Sequence, residues 1–127
     1  MRLALKPFCA LLVAAFALAP LTAHAGQFYD GEAFAQAQAD GKSILIDISA
    51  PWCPTCAKQK PIIQGIEQAA PDLVVFDVDF DTDKDILKQL RVQYQSTLIV
   101  FKGATEVGRS TGETDPEAIR ALVGKAL

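Results

Sequence analysis

Apolar positions along the chain fall into runs of two kinds. Ser43 to Ile48 is apolar except for Asp47 and its first serine, and it lies between Gly41 and Pro51. A short continuous run of Ile and Leu between such breakers predicts a strand buried on both faces. Leu73 to Phe80 predicts a second strand, Thr97 to Phe101 a third, and Glu106 to Arg109 an edge strand ended by Gly112. Other segments space their apolar residues as a helix does. Tyr29 to Asp40 places Phe34 and Ala37 on one side. Cys53 to Ala70 groups Ile62, Ile63, Ile66 and Ala69, with a kink expected at Pro61 because proline removes one i→i−4 bond. Asp83 to Arg91 has Ile86, Leu87 and Leu90 as its apolar side. Thr114-Asp-Pro-Glu117 reads as a capping box opening a last helix to about Ala126, which buries Ile119, Leu122 and Val123. Alternating strands and helices imply crossovers and mostly parallel pairing. The last two strands, joined by a tight turn at Gly103, must be antiparallel. The expectation is an α/β domain with a mixed sheet and helices on both faces.

The first 25 residues have a different character. Arg2 and Lys6 precede Phe8 to Ala19, which carries no charge. Pro20 and the small–x–small triplet Ala23-His24-Ala25 follow, as at a signal-peptidase site. The apolar stretch is too short for a bilayer span, which needs about 20 residues. Cys9 lacks the Leu-x-small run of a lipoprotein signal. We expect residues 1–25 to be a cleaved signal peptide and residues 26–127 to be one domain, exported to the periplasm or otherwise secreted. Removal of Arg2 and Lys6 leaves the mature chain at a net charge of about −5. That disfavours nucleic acid as a partner, since phosphate binding needs a basic surface. No second apolar segment is long enough to hold the mature chain in a membrane.

Cysteine usage sharpens the picture. After the leader is gone, Cys53 and Cys56 are the only cysteines, and the one histidine, His24, is lost. A structural disulfide gains most by closing a long loop, and this pair closes almost none. In an exported chain that points to a reactive pair. Trp52-Cys53-Pro54-Thr55-Cys56 lies where a buried strand gives way to a helix. A helix N-terminus stabilises a thiolate, so Cys53 should be the nucleophile. Cys56, three residues on, can attack the mixed disulfide. Pro54 in the first turn forfeits no hydrogen bond. The rival is half of a zinc site, but zinc wants four ligands, so two chains would have to pool their cysteines or carboxylates would have to complete the set. Asp47 is the other conspicuous residue, because a carboxyl in a buried strand must be neutral, paired or linked to water.

Over nearly its whole length the mature chain resembles a thioredoxin. Ile44 to Cys56 is similar to that family's active-site strand and loop. Pro61 matches its kinking proline, Leu98 to Lys102 the strand after its cis-proline, and Gly112 a later glycine. The Trp-Cys-Pro-Thr-Cys wording also occurs in periplasmic thioredoxin-like proteins of cytochrome c maturation. Those carry an insertion for which the 39 residues between Cys56 and Ser96 leave no room. The resemblance implies a thioredoxin fold with four strands, or five if Gln27-Phe28 supplies the family's short first strand. It implies a Cys53–Cys56 disulfide in the oxidised state, Asp47 beneath Cys56 as its proton acceptor, and a docking groove lined by Trp52, Pro54, Thr55, Ser96 and Thr97.

Two positions depart from the family. Ser96 stands where the cis-proline is expected, so the peptide before it is either trans, or cis and strained. Asp77 stands where lysine often pairs with the buried aspartate. If Asp77 lies close to Asp47, one of the two should hold its proton more tightly. The alternating Asp77, Asp79, Asp81, Asp83 and Asp85 do not match a calcium loop, because Thr82 and Lys88 occupy the glycine and glutamate positions. Asp81 or Asp83 is expected to cap the following helix.

The function expected is thiol–disulfide exchange with cysteines of other exported proteins, in the reducing direction. It needs no bound cofactor and no metal, and a redox partner protein must supply or accept the electrons. The alternatives are a non-catalytic binding module with an adapted groove, and a metal or iron–sulfur carrier formed by two chains.

Overall fold

The computed structural model describes residues 26–127. The leader assigned to residues 1–25, with Cys9 and His24, lies outside the described residues. The elements in order are β1 (Gln27–Phe28), α1 (Gly31–Ala39), β2 (Ser43–Ser49), α2 (Pro54–Ala69), β3 (Leu73–Asp79), α3 (Lys84–Gln89), β4 (Thr97–Lys102), β5 (Thr105–Thr111) and α4 (Pro116–Gly124). They form a five-stranded sheet in the order β1-β3-β2-β4-β5. β1 and β2 both run parallel to β3, whereas β4 is antiparallel to β2 and to β5. Gln27-Phe28 therefore is a strand, and the sheet has five members.

β2 is the central strand, which explains its unbroken apolar run, because both of its faces are covered. Ile44, Ile46 and Ile48 join Phe34, Phe76, Ile86, Leu87 and Phe101 on one face. Phe34 packs edge-on against Phe76 and Phe101, at centroid distances of 5.8 and 5.5 Å. Leu45 on the other face joins Ile63, Ile66, Val75, Leu98, Val100, Ile119 and Val123. Thus α1 and α3 cover one face and α2 and α4 the other. Asp47, two residues after Leu45, is on the α2 side by the period of the strand.

Helix ends differ from expectation in two places. α4 is capped by Asp115, whose side chain accepts from the Glu117 N–H at 3.1 Å, so the capping residue is Asp115 and not Thr114. Asp83 occupies the N-cap of α3, but its side chain makes no cap bond. It accepts instead from the Asp79 N–H at 2.8 Å, tying the end of β3 to the start of α3. α2 continues through Pro61 to Ala69. No described helix is long and apolar enough to cross a membrane.

Candidate active site

β2 ends at Ser49, and the chain turns through Ala50-Pro51-Trp52 into α2. The Cys53 N–H donates to the Ala50 carbonyl at 3.1 Å, closing that turn. Cys53 is the N-cap of α2, with Pro54 in the first turn, and its Sγ accepts from the Cys56 N–H at 3.1 Å. A free N–H of the helix start is thus aimed at sulfur, the arrangement that favours negative charge on Cys53. Cys53 and Cys56 form a disulfide, with Cα atoms 5.3 Å apart. Both are buried, against Ala50 and Phe80. The bond between the two sulfurs is the oxidised form of a reactive pair.

Asp47 is 3% exposed, and its Oδ1 has no hydrogen-bond partner. Burial pushes its carboxyl up to about 7. The charge of Asp77 adds to that rise, and Lys60 opposes it. A carboxyl in this state can take or hold a proton near neutral pH. Asp77 is its register partner on β3 and lies 3.6 Å from the Lys60 Nζ. The two carboxyls are therefore close, and the Asp47 carboxyl is raised. A cleft of about 330 Å³ runs beside the disulfide, lined by Cys53, Cys56, Lys60, Asp77, Asp79 and Phe28 among others.

The predicted docking residues divide by exposure. Trp52 is 57% exposed, and Pro54 is exposed in the first turn of α2. Thr55 is half-buried. Ser96 and Thr97 are buried. No peptide bond among the described residues is cis, and Ser96 instead takes a left-handed backbone, φ 56°. That conformation costs a non-glycine residue about 1–2 kcal/mol, so the surroundings must hold it. The Ser96 hydroxyl donates to the Gln95 carbonyl at 2.6 Å. The Ser96 carbonyl accepts from the Gly112 N–H at 2.9 Å and from the Gln59 side-chain amide at 3.2 Å. The same Gln59 amide donates to the Glu113 carbonyl at 2.8 Å. Thr97 Oγ1 donates to the Tyr94 carbonyl and lies 2.9 Å from Thr111 Oγ1.

Three residues matter here that pattern analysis does not single out as part of the site. Gln59 and Lys60 follow Cys56 by three and four residues, so both belong to its side of α2. Gln59 also precedes Ile63 by four, which is the signal that it points inward; it is fully buried. Asp81, expected as a possible helix cap, accepts instead from the Trp52 indole N–H at 2.7 Å. Among the other aspartates, Asp79 Oδ1 accepts from the N–H groups of Asp81 and Thr82. Part of the acidic run is thus a turn device that ends by orienting Trp52. Among the described residues no group of three or more His, Cys, Asp and Glu is placed to hold a metal ion.

Comparison with known proteins agrees with this geometry. The sequence model of the thioredoxin family matches residues 27–125. A thioredoxin of Chlamydia trachomatis is 33% identical over 99 residues, which is 78% of this chain and 96% of that protein. The crystal structure of Trxlp from Edwardsiella tarda superposes with a TM-score of 0.74 at 44% identity, covering 78% of this chain and 98% of that one. Mitochondrial thioredoxin 3 of Saccharomyces cerevisiae, in its oxidised form, gives 0.66 at 26% identity over 73% and 87% of the two chains. A five-stranded sheet of this order, a Cys-Pro-Thr-Cys disulfide capping α2, and a match spanning nearly every described residue place the chain in the thioredoxin family of thiol–disulfide oxidoreductases.

Proposed function

We propose that this chain is an exported member of the family that reduces disulfides in other exported proteins. The observation that carries the chemistry is the placement of the Cys53 sulfur at the N-terminus of α2, with the Cys56 N–H directed at it. In the reduced protein the Cys53 thiolate attacks one sulfur of a substrate disulfide. A mixed disulfide forms, and the other substrate sulfur leaves as a thiolate and takes up a proton. Cys56 gives its proton to Asp47 and attacks the Cys53 sulfur. The bond from Cys53 to substrate breaks, the second substrate thiol is released, and the Cys53–Cys56 disulfide remains. Two electrons have passed to the substrate, and a dithiol redox partner protein must return them. Trp52, Pro54 and Thr55 offer the surface against which substrate docks, and the buried Ser96 and Thr97 shape the loop beside it.

Export rests on the charged, apolar and small-residue pattern of residues 1–25. N-terminal sequencing of the protein recovered from the periplasm of an expressing bacterium should begin at Gly26. Recovery of the intact chain from the cytoplasm would overturn that part of the reading. Direction is read from the equilibrium of the mature protein with glutathione or with a thioredoxin of known potential. A value near about −270 mV supports the reducing role, and one near about −120 mV would make the protein a disulfide donor. A Cys56→Ser variant should accumulate mixed disulfides with its substrates. A variant that traps nothing would favour the binding-module reading.

A further inference from the structure

Two carboxyl groups on neighbouring strands are an uncomfortable pair, and here they are register partners. Asp47 on β2 and Asp77 on β3 are opposite one another in a parallel pairing, so their side chains project from the same face of the sheet. Asp47 is buried, and the Asp77 side chain is 20% exposed. The backbone of Gly26 lies against it: a Cβ there would come within 2.9 Å of Asp77 Oδ1. The positive charge facing them comes from another element. Lys60 is one helical turn beyond Cys56 on α2 and reaches to 3.6 Å from Asp77 Oδ2. Cys56, Lys60 and Asp77 line one cleft that opens beside the disulfide.

Among the described residues two further ionisable groups belong to these surroundings: Glu67, buried further along α2, and Gly26, which lies against Asp77 and carries a free α-ammonium once residues 1–25 are removed. The register partner of Asp47 on β4 is Leu98. α4 contributes Ile119, Leu122 and Val123 to that face, and β1 contributes Gln27 and Phe28, which do not ionise. Asp79, further along β3 in the same cleft, is engaged with the N–H groups of Asp81 and Thr82. Asp77 and Lys60 are the side-chain charges that bear most directly on Asp47, and they act in opposite senses.

We propose that Asp77 and Lys60 are positioning residues for the exchange: acting through Asp47, this ion pair sets the pH at which Cys56 is activated. The inference rests on the reading of Asp47 as the proton acceptor. In the step concerned the Cys56 proton passes to Asp47, the Cys56 sulfur bonds to Cys53, and the substrate sulfur leaves with the electron pair of the broken bond. Asp47 then returns the proton to water in the cleft. Asp77 hinders ionisation of Asp47 and Lys60 assists it. The balance between them decides how much of Asp47 is ready to accept a proton at a given pH.

The test is a pair of substitutions with opposite predicted signs. Asp77→Asn removes the like charge and should move the acid limb of the resolution rate to lower pH. Lys60→Met leaves Asp77 uncompensated and should move it to higher pH. Each shift should be about 0.5–1 pH unit. Lys60→Arg keeps the charge and should restore the parent profile. The rate is read in stopped flow as loss of the mixed disulfide between Cys53 and glutathione. The Asp47 carboxyl is followed separately, by carbon NMR titration of the reduced protein. Opposite shifts in both readouts support the proposal. A carboxyl midpoint unmoved by either substitution overturns it while leaving the role of Asp47 intact. A midpoint that moves while the rate profile does not overturns it through the role of Asp47. Asp47→Asn checks that role directly, because it should abolish the acid limb.

Discussion

Asp47 works against the stability of the fold it sits in. Its carboxyl is held at about 7 against an ordinary value of 3.8. Below about pH 3, the folded and unfolded chains both carry the proton. As pH rises from there toward 7, the unfolded chain ionises first and the folded state loses stability; the loss is complete above about 7. A shift of this size corresponds to a penalty of about 4 kcal/mol at pH 8. Asp47→Asn should therefore gain about that much relative stability between pH 3 and pH 8 in urea titrations of the oxidised protein. An equal difference at both pH values would contradict the raised carboxyl. Trp52 offers a second test at this scale. Its indole is exposed and held by Asp81 through one hydrogen bond of 2.7 Å. Losing such a bond is worth about 0.5–1.5 kcal/mol. Asp81→Ala should raise KM for a protein disulfide by about 2- to 10-fold with kcat little changed, and should alter the Trp52 fluorescence.

Among the elements, α2 carries most of the site. It supplies both cysteines, Lys60, and through Gln59 a clasp on the loop before β4 and the loop after β5. The loop before β4 presents Ser96 in a left-handed conformation, and the loop after β5 presents Gly112 and Glu113. A buried amide that loses its role leaves carbonyls without partners, at about 1–3 kcal/mol. The Ser96 carbonyl would keep the Gly112 N–H, so the cost falls on Glu113 and on the hold over Ser96. Gln59→Leu should therefore lower the urea midpoint by the equivalent of about 1–3 kcal/mol. It should also weaken substrate docking more than turnover, seen as a rise in KM larger than the fall in kcat. Unchanged stability would mean that the clasp contributes nothing. The elements themselves were legible in the apolar spacing. Their caps were less so, because Thr114 and Asp115 are both good N-cap residues and sequence does not say which carbonyl-to-helix angle the chain adopts. Gln59 was hidden for a related reason: a single glutamine among apolar neighbours is ordinary until its two acceptors, 37 and 54 residues away, are in place.

At the scale of the whole molecule, acidic residues outnumber basic ones, 15 to 12 over the full chain, and the excess is larger without Arg2 and Lys6. Asp77, Asp79 and Asp81 lie at or beside the cleft and Trp52. An acidic surface around a reactive sulfur attracts cations and repels anions, and salt screens both effects. A cationic peptide disulfide should therefore react several-fold faster than an anionic one of the same backbone at low salt. The difference should shrink at about 0.5 M salt, where screening is nearly complete over such distances. Equal rates at low salt would show that Lys60, which lines the same cleft, cancels the local acidic field.

Sequence alone determined the order of elements, the α/β class and the position of the reactive pair. Those depend on properties local to the chain: the period of apolar residues, the breakers between them, and two cysteines three apart at a strand-to-helix junction. It also placed Asp47 in a buried strand. Tertiary structure decided what surrounds that carboxyl. Asp77 becomes its neighbour only when β2 and β3 pair in one register, since a slip of one residue would turn Asp77 to the opposite face. Lys60 meets Asp77 only when α2 packs over both strands. The left-handed backbone at Ser96 is likewise held by contacts from Gln59 and Gly112, distant in the chain. Local patterning writes the elements, and long-range pairing sets the charges and hydrogen bonds that the chemistry uses.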